Sequence, residues 1–285
     1  MERPSTGAKA RHAAANDEPI ARERLAIDLP SSLAAERQGD IAILRLSRPE
    51  KRNALNDATV QGIEAFFSRL PDDIKAVVID AAGADFSSGL DLSELSERST
   101  IEGVAHSMMW HRAFERVEFG RTPVVAAMKG AVIGGGLELA CAAHIRVAER
   151  SAYYAFPEGQ RGIFVGGGAS VRAPRLIGAA RMADMMLTGR VLDAEEGHAA
   201  GLSQYLVNEG EGLTKALELA TRIAANSPVT NFAVIHALPK IAEANPREGY
   251  MMEALMAAIA QGSDEAKERL RAFLEKRAKK VTDFR

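Results

Sequence analysis

Short apolar runs alternate along this chain with longer stretches in which apolar residues recur every three or four positions. Ile41-Ala42-Ile43-Leu44-Arg45-Leu46, entered from Gly39-Asp40, predicts a strand, and Ala76-Val77-Val78-Ile79 predicts a fully buried one. Between them Asn56 or Asp57 is placed to cap a helix reaching about Leu70, with Ile63, Phe66, Phe67 and Leu70 on one face and Pro71 ending it. The pattern then repeats. A helix is predicted from near Ile101 to Phe119, a buried strand over 123–128, a short helix over 137–143, strands over 144–148 and 153–156, and a helix over 169–177. Strand, turn and helix recur at roughly 40–50 residues, which predicts a coil of related α/β units without a close sequence repeat.

From Leu213 to Lys280 the pattern becomes almost wholly helical, broken at Pro228, Pro246 and Gly262. Its apolar stripes (Ile223, Val234, Leu238, Ile241; then Met252, Leu255, Met256, Ile259) need a partner surface, which points to contacts between subunits. The first thirty residues are rich in Ala, Arg, Glu and Asp and have no apolar core, so they read as a flexible arm and not a secretory signal. The expected organisation is an arm over 1–38, a core over 39–208 and a helical oligomerisation region over 209–285.

Composition narrows the function classes. With 47% apolar and 26% charged residues the 285-residue chain is an ordinary globular protein. A net charge of −2 and an aromatic share of 5% argue against nucleic acid or an anionic membrane as partner. The basic residues Lys276, Arg277, Lys279, Lys280 and Arg285 nevertheless gather at one end. A single cysteine, Cys141, rules out an intrachain disulfide and fits a reducing, cytoplasmic setting. No His/Asp/Glu spacing resembles a metal site, and no apolar run reaches the ~18–20 residues that span a bilayer.

The candidate chemistry lies in two glutamates. Glu138 closes Gly134-Gly135-Gly136-Leu137-Glu138, and Glu158 sits in Pro157-Glu158-Gly159-Gln160-Arg161-Gly162, ahead of Gly166-Gly167-Gly168. Taken singly, a glutamate early in a helix complements the dipole and glycines serve tight turns. Together, two carboxylates near exposed backbone N–H groups are what acid/base chemistry beside a stabilised enolate requires. A phosphate-binding GxxxxGK[ST] loop and a GxGxxG dinucleotide fingerprint are both missing. His106, Trp110 and His111 share one predicted helix and read as packing residues; Phe164 and Val165, close to the later glycines, could shape an acyl pocket.

In order along the chain, Arg48-Pro49-Glu50-Lys51-Arg52-Asn53-Ala54-Leu55-Asn56, Phe86-Ser87-Ser88-Gly89-Leu90-Asp91, the Gly134-to-Ala140 run, Phe156-Pro157-Glu158, Leu187-Thr188-Gly189-Arg190 and Phe273-Leu274-Glu275-Lys276-Arg277 resemble the crotonase superfamily, and within it the enoyl-CoA hydratase/isomerase family. The resemblance implies an α/β spiral of ββα units with a C-terminal helical trimerisation region, assembled as a homotrimer or homohexamer. It implies an acyl-CoA thioester as substrate, with coenzyme A part of that substrate and no separate cofactor. By position, the backbone N–H groups of Ser88 and Gly135 would form the oxyanion hole. Glu138 would act as base on water and Glu158 would protonate C2. Ser88, Gly89, Leu90 and Asp91 would line the coenzyme A path, Arg52 (or Lys51) would meet a phosphate, and Phe273 and Lys276 would reach a neighbouring subunit's site.

The resemblance leaves other outcomes on the table. Isomerases of this fold need only the later carboxylate, and dienoyl isomerases carry an acid where this chain has Gly167, so keeping both glutamates favours hydration. The run 160–168 departs from the common family form, which allows a specialised hydratase or hydrolase of a short or heteroatom-bearing substrate such as methylthioacryloyl-CoA. A non-catalytic trimeric scaffold or RNA-binding homologue would need a lost carboxylate or a basic aromatic stripe, and the chain has neither.

Overall fold

The computed structural model describes residues 21–94 and 97–277. The arm before residue 21 and the basic residues Lys279, Lys280 and Arg285 lie outside the described residues. Strands β1 (Glu23–Arg24), β2 (Leu33–Gln38) and β3 (Ile41–Leu46) open the fold, followed by α1 (Asp57–Ser68) and β4 (Ala76–Ala81). Then come α2 (Thr100–Glu118), β5 (Val124–Met128), β6 (Ala131–Ile133), α3 (Gly135–Ala142), β7 (Ile145–Glu149) and β8 (Tyr153–Ala155). Helices α4 (Ala169–Ile177), α5 (Ala179–Thr188) and α6 (Ala194–Ala200) precede β9 (Tyr205–Val207) and α7 (Gly212–Ala224). The chain ends in α8 (Pro228–Phe232), a π-helical turn (Ala233–Ala237), α9 (Leu238–Glu243), α10 (Pro246–Gly262) and α11 (Asp264–Leu274).

Seven strands form one sheet in the order β1-β2-β3-β4-β5-β7-β9, antiparallel from β1 to β3 and parallel from β3 onward; β6 and β8 pair separately, in parallel. Period-two alternation explains why the central strands carry no polar face. Leu44, Leu46, Val77 and Ile79 enter the main core with Phe66 of α1 and Phe114 of α2. Ile41, Ile43, Ala76 and Val78 face the other way, onto Ala216, Leu219 and Ala220 of α7. Both faces are therefore covered, as parallel strands require. Asn56 caps α1 by accepting from the Thr59 N–H. Tyr154 is fully buried while Tyr153 is partly exposed, the alternation expected of β8.

The ordered body starts earlier than the sequence implies. Residues 33–38, assigned to the arm, form β2 and pair along the whole of β3 through a tight turn at Gly39 (φ +62°). Leu33 and Ala35 are buried by that pairing. The segment Leu-Ala-Ala-Glu-Arg-Gln favours helix locally, and a neighbouring strand overrides the preference. At the other end α11 packs on α10 and leaves Leu270, Phe273 and Leu274 exposed; α10 leaves Leu255 and Ile259 exposed.

Candidate active site

The small β6–β8 sheet sets both glutamates. After β6 the chain turns at Gly134 (φ +50°), donates the Gly134 N–H to Ala155 O of β8, and starts α3 at Gly135. One turn into α3, Glu138 is 3% exposed. Its Oε2 accepts the N–H groups of Gly167 (2.7 Å) and Ala169 (2.9 Å), so it sits on the N-terminus of α4. Burial pushes the Glu138 carboxyl above its ordinary range, opposed by the N–H groups of Ala169, Gly167 and Gly166. Buried Arg172 holds this loop in place. It donates Nη1 to Gly167 O at 2.9 Å and Nε to Glu118 Oε2 at 2.6 Å.

Glu158 lies in the 3-10 turn Pro157–Arg161 directly after β8. It is also buried, and its Oε2 has no hydrogen-bond partner among the described residues. A buried acceptor left open is rare enough to mark where something else binds. Burial first, and the nearby Glu138 charge second, push the Glu158 carboxyl from 4.5 up to about 7. A side chain at Gly134 would come within 2.7 Å of Glu158 Oε1, so the turn needs glycine for space as well as conformation. Both carboxylates face one cavity of about 180 Å³, whose walls include Leu90, Gly135, Trp110, Ile163 and Phe164.

The second expected element differs in one residue. Gly135, at the start of α3, has an N–H that donates to no acceptor among the described residues, as helix starts do. Ser88 is different: its N–H donates to Arg52 O at 2.9 Å and is unavailable to a ligand. The free N–H is two residues on. Leu55 pairs with this segment by donating to Gly89 O and accepting from Asp91 N–H, which leaves the Leu90 N–H pointing away and without an acceptor among the described residues. Leu90 N lies 3.5 Å from where a Gly135 Cβ would stand. Gly89 (φ +88°) permits the approach, since a Cβ there would come within 2.7 Å of Ile133 O and 3.1 Å of Gly135 N. The convergent donors are thus Leu90 and Gly135.

Other sequence candidates scatter. Ser88 and Gly89 border a small depression of about 20 Å³, which also touches Leu90, Gly134 and Glu158. Asp91 lines neither space; its carboxylate is taken by the Ser93 hydroxyl, Arg48 (2.9 Å) and Lys51 (3.2 Å), which hold it well below the usual range. Arg52 is occupied by Asp85 (2.8 Å) and the Tyr153 hydroxyl (2.5 Å). Phe273 and Lys276 stand at the exposed end of α11, and neither lines the cavity. Conversely, Arg98, His106, Ser107 and Trp110 line it, although the helical stripe containing His106 and Trp110 reads as packing. The i, i+4 spacing of His106 and Trp110 on α2 is the one signal they carry: Trp110 Nε1 lies 3.3 Å from His106 Nε2 and its ring meets Phe114 edge-on.

A two-sided α/β spiral with paired buried carboxylates beside two unpaired N–H groups defines a crotonase-fold protein. A family model described as enoyl-CoA hydratase/isomerase matches residues 36–283, and the chain belongs to that family. It is 30% identical over 258 residues to the short-chain-enoyl-CoA hydratase of Clostridium acetobutylicum, covering 90% of this chain and 98% of that protein. A solved structure from Rhodopseudomonas palustris CGA009 is 60% identical, with a TM-score of 0.86 over 89% of this chain and 98% of its own. The enoyl-CoA hydratase structure from Bacillus anthracis is 28% identical, with a TM-score of 0.81 over 86% and 96%. Among the described residues, no helix is long and apolar enough to cross a membrane.

Proposed function

We propose that this protein hydrates the 2,3 double bond of an enoyl-CoA thioester. The observation that carries the reading is the pairing of two buried carboxylates with the free N–H groups of Leu90 and Gly135 around one cavity. In this reading the thioester oxygen sits on those two donors, which meet the negative charge that develops as water adds to C3. Glu138, whose charged form two N–H groups favour, takes a proton from the water as its oxygen bonds to C3. Glu158, raised to about 7, carries a proton near neutrality and gives it to C2. One water is consumed, and coenzyme A stays attached.

The pantetheine arm runs over Ser88, Gly89 and Leu90. Phe273 and Lys276 serve the site of a neighbouring subunit in a homotrimer or homohexamer, whose contacts use the exposed apolar residues of α10 and α11. The test is loss of the conjugated-thioester absorbance with purified protein, the product being weighed by mass spectrometry. The expected product is the substrate plus one water with coenzyme A retained; release of free coenzyme A from the starting thioester would replace hydration by hydrolysis.

A further inference from the structure

The cavity has two unlike walls. One is apolar, from Ile163 and Phe164; the other brings Arg98, His106 and Ser107 to the same space. A plain alkyl chain would leave that second wall's polar groups without partners. Arg98 reaches Asp57 Oδ2 only at 3.7 Å, beyond hydrogen-bond distance, and its guanidinium donates to no acceptor among the described residues. The reason is His106, whose Nε2 lies 2.7 Å from Asp57 Oδ1 and draws that carboxylate to itself. Glu102, also near Arg98, is engaged in capping α2 with Ser99. Ser107 Oγ likewise has no partner among the described residues, and it lies 2.9 Å from where a Gly166 Cβ would stand.

Resting on the hydratase reading, the direction of the substrate follows. Glu138 addresses C3, which lies on the acyl side of the thioester. Glu138 lines the larger cavity but not the small depression by Ser88. The acyl group therefore enters the larger cavity, which Arg98 and Ser107 line together with Ile163 and Phe164. The space is small, about 180 Å³, against ~300–1,000 Å³ for drug-sized ligands. A guanidinium fork with an adjacent hydroxyl is the pairing that recognises a carboxylate. We propose that the preferred substrate is a short enoyl thioester whose acyl chain ends in a carboxylate, bound by Arg98 and Ser107, with His106 as the positioning residue that holds Asp57 beyond hydrogen-bond reach of Arg98.

The experiment compares the coenzyme A monothioester of pent-2-enedioic acid with pent-2-enoyl-CoA, equal in chain length and differing in the terminal carboxylate. Wild-type protein should favour the carboxylated substrate by at least about tenfold in kcat/KM, and Arg98→Gln should bring the ratio of the two to about one. A wild-type preference for pent-2-enoyl-CoA overturns the proposal. So does an Arg98→Gln effect equal on both substrates, because that would place Arg98 on the shared coenzyme A. If neither thioester is hydrated, the hydratase reading fails and binding decides this one alone. Calorimetry with the unreactive pentanedioyl- and pentanoyl-CoA should then show the carboxylated ligand bound at least about tenfold tighter; equal affinities would sink it.

Discussion

Replacing Glu158 by Gln removes a charge that the fold holds against burial. The carboxyl titrates near 4.5 when unburied and at about 7 in the folded protein. Below the lower value both folded and unfolded chains carry the proton, and burial of the neutral group costs little. Between the two, the unfolded chain ionises while the folded one keeps its proton, so stability falls as pH rises. Above about 7 both are ionised and the loss is complete. At roughly 1.4 kcal/mol per unit the rise corresponds to on the order of 3 kcal/mol, and water entering the open cavity screens this to about 2 kcal/mol. The Gln variant has no such loss. Urea unfolding at equal subunit concentration should therefore show the variant gaining about 2 kcal/mol relative to wild type between about pH 5 and about pH 8. The same substitution should abolish most hydration, and wild-type kcat/KM should decline as pH rises through about 7. An identical stability difference at both pH values would refute the argument that Glu158 is a strained buried acid.

Glu138→Gln keeps the side chain's shape on the α4 N-terminus but removes the base, so hydration should drop by about 10²–10⁴-fold with oligomeric state unchanged on size-exclusion chromatography. Gly89→Ala would place a methyl 2.7 Å from Ile133 O and 3.1 Å from Gly135 N at a left-handed backbone position; kcat should fall by about 10²–10³-fold through the lost donor geometry, and wild-type turnover in the folded variant would show that the Leu90–Gly135 pair is not the oxyanion hole. Arg172→Met strands Glu118 and frees the Gly167 carbonyl. It should destabilise by about 3 kcal/mol in urea, and turnover measured in the folded fraction should lose kcat more than KM.

The parts of the site legible in the sequence are those written locally. Glu138 and Glu158 announce themselves because each adjoins glycines that only make sense as turns brought close to something else. Gly135 follows from the same logic, since a helix start always has free donors. Ser88 against Leu90 is a different kind of question. Which N–H remains free depends on Arg52 O and on both backbone groups of Leu55, more than thirty residues away, and nothing near Ser88 records that choice. Arg52 and Asp91 have their partners for a related reason: a charged residue in a motif looks available until the groups that occupy it, Asp85 and Arg48, are in place. The polar cavity wall was hidden by its helix. His106 and Trp110 have the spacing of a packing stripe, and only their position opposite Ile163 and Phe164 turns them into lining.

Backbone alone gives the two glutamates different surroundings. Glu138 and Glu158 are both buried and both raised by burial, so desolvation does not separate them. Hydrogen bonding does. Two N–H groups at the start of α4 converge on Glu138 Oε2 and stabilise its charged form, while Glu158 Oε2 receives none and Glu138's charge presses it further towards the neutral acid. The asymmetry rests on Gly167 and Gly168: a Cβ at Gly167 would stand 3.0 Å from Glu138 Oε2, and one at Gly168 would collide with the Arg172 guanidinium. The later glycine run therefore does more than turn the chain. It delivers the donors that oppose the effect of burial at Glu138, and a charge there favours the neutral form of Glu158.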